Sequence, residues 1–218
     1  MSTAVTKVIQ SLNQAEALFG LQRAISPDFF SEWRTHLPAL TPGEEAALDR
    51  IKTSYLYNSA DGPVSESTIN LLLVSPLLYL SGLCDPPFKL RGEVPIEIQV
   101  EESGQLLHGR IDALVLRDRF WLVLAESKQA KLSFSMAIPQ ALTYMMGNPN
   151  APDPVFGVVT NGDGFLFIKL AKQPQPTYAL SDDFSLFRQA QNELYPVLKI
   201  FKHIGQLVSP AQRTTPEG

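Results

Sequence analysis

Apolar residues recur at helical spacing through the first third of the chain and change to strand spacing near residue 94. Val5, Val8, Ile9 and Leu12 fall on one helix face. Ser26-Pro27 reads as an N-cap followed by proline at the first helical position, with Phe29, Phe30 and Trp33 on the buried side. Thr41-Pro42-Gly43-Glu44 has the form of a capping box, in which hydroxyl and carboxylate each satisfy an orphan amide, and it predicts a helix to about Tyr57. Asn58 to Pro63 breaks that run. A more apolar helix is expected from Ser65 to about Leu83, kinked at Pro76 and stopped by Asp85-Pro86-Pro87.

Val94, Ile96, Ile98 and Val100 alternate with Pro95, Glu97 and Gln99, the period of a strand with one wet face, and Pro95 favours an edge. Turns near residues 102–105 and 117–119 predict two further strands, Leu106 to Leu116 and Phe120 to Ser127. Connections this short make an antiparallel meander. Phe134 to Met146 reads as a helix ended by Asn148-Pro149-Asn150-Ala151-Pro152. Val155 to Thr160 is an apolar strand of the buried kind, joined by the turn Asn161 to Gly164 to a strand from Phe165 to Leu170. A last helix is expected from about Asp183 to His203, and no internal repeat is visible.

At 218 residues, 44% hydrophobic and 18% charged, the chain has enough apolar surface for one domain with a sizeable core. We divide it into a helical extension (1–62), a core (63–172) and a C-terminal helix and tail (173–218). The net charge of −4 removes any global positive field for nucleic acid, so local clusters would have to hold it. The single cysteine, Cys84, excludes an internal disulfide and a Cys-rich zinc site. The N-terminus does not read as a signal peptide, and the apolar run Ile69 to Leu83 is too short and interrupted to span a bilayer, so a cytoplasmic protein without membrane contact is expected.

The chemistry concentrates in Gly109-Arg110-Ile111-Asp112 on one predicted strand and Glu126-Ser127-Lys128 at the end of the next. Alternation puts His108, Arg110 and Asp112 on one face of the first, and Leu122, Leu124, Glu126 and Lys128 on one face of the second. With the hairpin turn near Asp118, Asp112 and Glu126 lie at similar distances from it and can converge. Two carboxylates brought together repel unless a cation joins them, and oxygen donors favour Mg²⁺ or Mn²⁺ over zinc. Lys128 beside that ion can orient or help deprotonate an attacking water.

An Asp on one strand followed by Glu-x-Lys on the next, in the order helix, three-stranded antiparallel meander, helix, strand, strand, resembles the PD-(D/E)xK nuclease superfamily. Type II restriction enzymes, RecB-like nucleases and the nuclease domain of type I restriction R subunits belong to it. The likeness spans Ser65 to Leu170, and it implies an α/β, restriction-endonuclease-like core with added N-terminal helices and a C-terminal helix. It further implies Mg²⁺-dependent (or Mn²⁺-dependent) hydrolysis of DNA phosphodiester bonds. Asp112 and Glu126 take the places of the two acids and Lys128 that of the lysine. Gln140-Ala141-Leu142-Thr143-Tyr144 matches the Q-x-x-x-Y element of RecB-like members, which makes Gln140 a catalytic and Tyr144 a substrate-contacting candidate. Glu66 is the candidate for a further metal-holding acid from the preceding helix. Ile111 replaces the proline of the family pattern. No Gly-x-x-x-x-Gly-Lys-Ser/Thr stretch occurs, so neither a nucleotide cofactor nor the motor of a type I enzyme is expected.

Each candidate has a plainer role beside the chemical one. Glu66 in a first helical turn complements the helix dipole, and Tyr144 suits a core as well as a substrate contact. Arg110 and Lys131 are candidates for phosphate contacts, but for Arg110 an ion pair with Asp112 or Glu126 is the favoured reading. His108 is alone, without a second nitrogen or sulfur ligand. Lys199, Lys202 and His203 suit the end of the last helix and phosphate binding alike. DNA is the expected partner, and cutting both strands would suit a two-fold dimer or partner subunits. The alternative is a non-catalytic nucleic-acid-binding or assembly module on the same fold.

Overall fold

The computed structural model describes residues 2–100, 104, 106–117, 120–126, 134–149 and 154–208 of a mixed α/β fold. A short strand β1 (Ser2–Ala4) leads into α1 (Val5–Val8), and a separate helix α2 (Leu12–Phe19) follows. The single helix expected from Val5 to Leu12 is therefore two. Ser11 is the reason: its hydroxyl accepts from the Gln14 N–H at 3.3 Å and the Gln14 side chain accepts from the Ser11 N–H at 3.0 Å, a capping box that starts a new helix.

After β2 (Gln22–Arg23), Ser26-Pro27 opens only the 3-10 turn Pro27–Phe30, which buries Phe30. Thr41 caps α3 (Pro42–Ser59) as its sequence predicts, accepting from Glu44 N–H at 3.2 Å while the Glu44 carboxylate takes the Thr41 N–H at 2.7 Å. The next helical run comprises α4 (Glu66–Ile69), a π-helical stretch Asn70–Val74 and α5 (Ser75–Leu80). Pro76 carries no N–H for the helical ladder, and the irregularity expected at it occupies the turn just before.

The strands β3 (Lys89–Gln99), β4 (Leu106–Arg117) and β5 (Phe120–Glu126) form the expected antiparallel meander, β3 beginning five residues ahead of Val94. Pro95 lies on an edge, since among the described residues β3 pairs with β4 alone. The helix α6 (Phe134–Met146) then carries the chain across to β6 (Val155–Thr160), parallel to β5, and β7 (Gly164–Ala171) folds back on β6. β1, β3 and β4 make one mixed group of three strands; β5, β6, β7 and the next strand, β8 (Thr177–Ser185), make a mixed group of four. The ladder from Ala113↔Leu124 to Arg117↔Phe120 joins them, and β2 lies beside β8.

The stretch from Asp183 departs from expectation. It is strand to Ser185, and the last helix, α7 (Leu194–Val208), begins eleven residues later than the sequence suggests, at Leu194 instead of Asp183. The ladder of β8 with β7 shifts register opposite Leu166 and Ile168, and the strand changes face there: Tyr178 packs in the α6-side core, whereas Phe184 packs in the opposite one. An extra residue in a strand turns its later side chains to the other face. Helices cover both faces of the sheet. On one side α3, the α4 to α5 run and α7 pack on Val115, Phe156, Val158, Phe165 and Phe167. On the other α1, α2 and α6 pack on Ile96, Ile111, Leu114, Val159 and Ile168. That double cover is why β6 is apolar at nearly every position.

Candidate active site

β4 pairs with β3 along one edge from Leu106 to Leu116. Its other edge is divided: β1 runs parallel to Leu106–His108, and β5 runs antiparallel to Ala113–Arg117. Gly109-Arg110-Ile111-Asp112 falls in the fork between those two ladders. α6 closes the fork with Tyr144. A Cβ added to Gly109 would stand 2.5 Å from Tyr144 Cε1 and 2.9 Å from its hydroxyl oxygen, so a side chain there would displace the ring. The Tyr144 oxygen accepts from the Arg110 backbone N–H, replacing the acceptor that a neighbouring strand would have supplied. Burial above all pushes the Tyr144 phenol up, and the Asp112 charge adds to this against the opposing Arg110 N–H and guanidinium. The phenol stays protonated, and Tyr144 is tied electrostatically to Asp112.

Asp112 marks a change of face in β4. Ile111 and Leu114 belong to the α6-side core although they are three positions apart, while Ala113 and Val115 join the opposite core. Strict alternation does not allow this. The ladder with β3 keeps its register on either side, Val94↔Ile111 and Gly92↔Ala113, and Glu93 between them has φ +52°. For a residue with a side chain that conformation costs about 1 kcal/mol or more. His108 and Arg110 are exposed on the first segment, as alternation predicts; Ala113, expected on the face of Ile111, packs on the other side. Arg110 Nη1 lies 3.5 Å from Glu93 Oε1, and with side chains 57% and 73% exposed the pair contributes at most about 1 kcal/mol.

Glu126 ends β5, its backbone paired with Thr160 of β6. The β4–β5 ladder stops at Ala113↔Leu124, so Asp112 and Glu126 both lie just past the same end of it. The side chain of Glu126 and the whole of Lys128 and Lys131 lie outside the described residues. Glu66 is the first residue of α4, half-buried behind the N-cap Ser65. Its helix reaches the same end of the sheet: Ile69 packs so closely on Gly162, two residues beyond Thr160, that an added Cβ would come within 2.9 Å of it. Gln140 is half-buried on α6, one turn before Tyr144. Among the described residues, no group of three His, Cys, Asp or Glu side chains gathers as a metal site. The structure thus brings together Asp112, Arg110 and Tyr144, and brings the backbones bearing Glu66 and Glu126 to one end of the sheet. Lys202, expected at a helix end, instead pairs with Glu44 at 2.6 Å. The Asn161 to Gly164 segment is a turn, with Asn161 Oδ1 accepting from the N–H groups of Asp163 and Gly164.

Two residues of the site escape sequence reasoning. Glu93 has no signal in composition or spacing. Gly109 has one, because glycine inside a strand marks a bulge or a close approach. Tyr144→Phe is expected to lower stability by about 1–2 kcal/mol, since Arg110 N–H loses its acceptor while the ring still fills the fork. Denaturant titration against wild type measures it, and an unchanged midpoint would contradict that hydrogen bond.

Compared with protein-family models and with curated protein sequences, the chain matches none. No helix among the described residues is long and apolar enough to cross a membrane.

Proposed function

We propose that this chain is a Mg²⁺-dependent or Mn²⁺-dependent nuclease that hydrolyses DNA phosphodiester bonds on a restriction-endonuclease-like core. The observation that supports it most is the fork in β4: Asp112 occupies the point where β4 changes face, just past the ladder end that Glu126 also passes. The donor set fits the cation. Asp112, Glu126 and Glu66 offer oxygen alone, as a hard divalent ion prefers, and like charges gathered at one sheet end are relieved by one.

Asp112 and Glu126, with Glu66, would hold the ion, which when bound would polarise the scissile phosphate and lower the pKa of the attacking water. Lys128 orients that water and takes part in its deprotonation. The water oxygen bonds to phosphorus as the bond to the leaving deoxyribose oxygen breaks, and that oxygen gains a proton. Gln140 orients Lys128 or the phosphate, and Arg110 and Lys131 contact the DNA backbone. Tyr144 holds the peptide at Arg110 and so the position of Asp112.

The purified chain should nick or degrade plasmid DNA with Mg²⁺ or Mn²⁺, without ATP, and stop on chelation. Lys128→Ala should slow cleavage by at least about a hundredfold at unchanged melting temperature, the usual scale for losing a positioned proton-transfer group. Cleavage at the wild-type rate in that variant would sink the reading.

A further inference from the structure

The turn between β6 and β7 borders a cavity of about 320 Å³. Leu56, Pro63 and Val64 give it apolar walls, Tyr55 contributes from α3, and Asp163 and Phe187 line it from the turn and from the chain beyond β8. Phe187 is 58% exposed, a large ring left toward solvent beside a carboxylate. The two are set by the backbone. Leu186 N–H donates to the Asp163 carbonyl at 2.9 Å, Asp163 N–H donates to Asn161 Oδ1 at 3.1 Å, and Phe187 N–H donates to Ser185 Oγ at 3.3 Å. Burial raises the Asp163 carboxyl above its usual range, the mark of a group that gains from a hydrogen-bond donor brought to it.

This cavity adjoins the candidate active site. Gly162, next to Asp163, touches Tyr55 and the Ile69 side chain of α4, the helix that Glu66 begins, and Thr160 pairs with Glu126. We infer that the cavity receives an unpaired nucleobase of a single-stranded DNA segment, stacked on Phe187, with an exocyclic amino group donating to the Asp163 carboxylate. The choice of ligand rests on the proposed nuclease reading. An aromatic face accepts any base, while a carboxylate accepts from adenine and cytosine amino groups and finds no such group on thymine. Bases within a duplex are stacked and paired, so the cavity selects single strands, flaps or ends.

The test is fluorescence anisotropy of the full-length chain with labelled oligodeoxyadenylate, oligothymidylate and a duplex, in EDTA so that nothing is cut. Phe187→Ala should weaken single-strand binding about tenfold, in line with the loss of one base stack, and leave duplex binding unchanged. Asp163→Leu should weaken oligodeoxyadenylate binding more than oligothymidylate binding. Equal losses on single strand and duplex would overturn the inference, as would single-strand affinity unchanged in Phe187→Ala. If Asp163→Leu melts below wild type, Phe187→Ala decides alone, its ring being largely exposed. Because binding is read without cleavage, an inactive wild type would count against the nuclease reading and not against the cavity.

Discussion

Asp112→Ala is expected to reduce metal-dependent DNA cleavage by at least about a thousandfold and to leave the melting temperature of the metal-free protein nearly unchanged. A carboxylate that holds a catalytic cation supports several kcal/mol of transition-state stabilisation, and about 4 kcal/mol corresponds to three powers of ten in rate. Stability is spared because Asp112 is only half-buried and Ile111 and Leu114, which anchor the strand on either side, are untouched. Mg²⁺ should raise the melting temperature of wild type, since a ligand at a hundred times its dissociation constant adds about 2.7 kcal/mol, and the variant should lose that rise. Asp112→Asn keeps the shape and removes the charge, so it should resemble Asp112→Ala in rate. Activity within tenfold of wild type in both variants would remove Asp112 from the chemistry.

Phe167→Ala is expected to destabilise the fold by about 4 kcal/mol, which the cavity left by a buried ring accounts for. Phe167 is fully buried, with its ring 5.2 Å from that of Phe201 at 70° and 6.0 Å from that of Phe184 at 77°. Edge-to-face pairs of this kind add about 0.5–1.5 kcal/mol each beyond area. One side chain of β7 thereby ties β8 and α7 into the core that α3 and the α4 to α5 run also build. For a chain of this size the melting temperature should fall by roughly 10 °C. A loss below about 1 kcal/mol would mean that α7 packs elsewhere.

Much of the fold was legible because local chemistry and tertiary packing agree in it. Thr41 with Glu44, the meander from Val94 to Glu126, the helix Phe134–Met146 and the hairpin at Asn161 each carry a turn or cap signal beside a clean period. The misses occur where a local cap or a tertiary pairing overrides the apolar period. Ser11 divides a continuous apolar face through a capping box with Gln14, and β8 runs past Asp183 because it stays paired with β7 as far as Gly164↔Ser185. β1 and β2 are too short to show any period, and only pairing with β4 and β8 makes them strands. The candidate acids were legible as types in order along the chain. Their surroundings were not: the face change at Asp112 depends on the backbone of Glu93, a residue on another strand with no mark in the sequence.

The pairing of β1 with Leu106–His108 also bears on how the protein is handled. Removing residues 1–4 would strip β4 of the strand that pairs with it on that side of the fork among the described residues, baring backbone donors and acceptors at Leu106–His108. An uncovered strand edge recruits other chains, so a shortened version would tend to self-associate, and purification tags with protease-cleaved leaders are better kept away from this end.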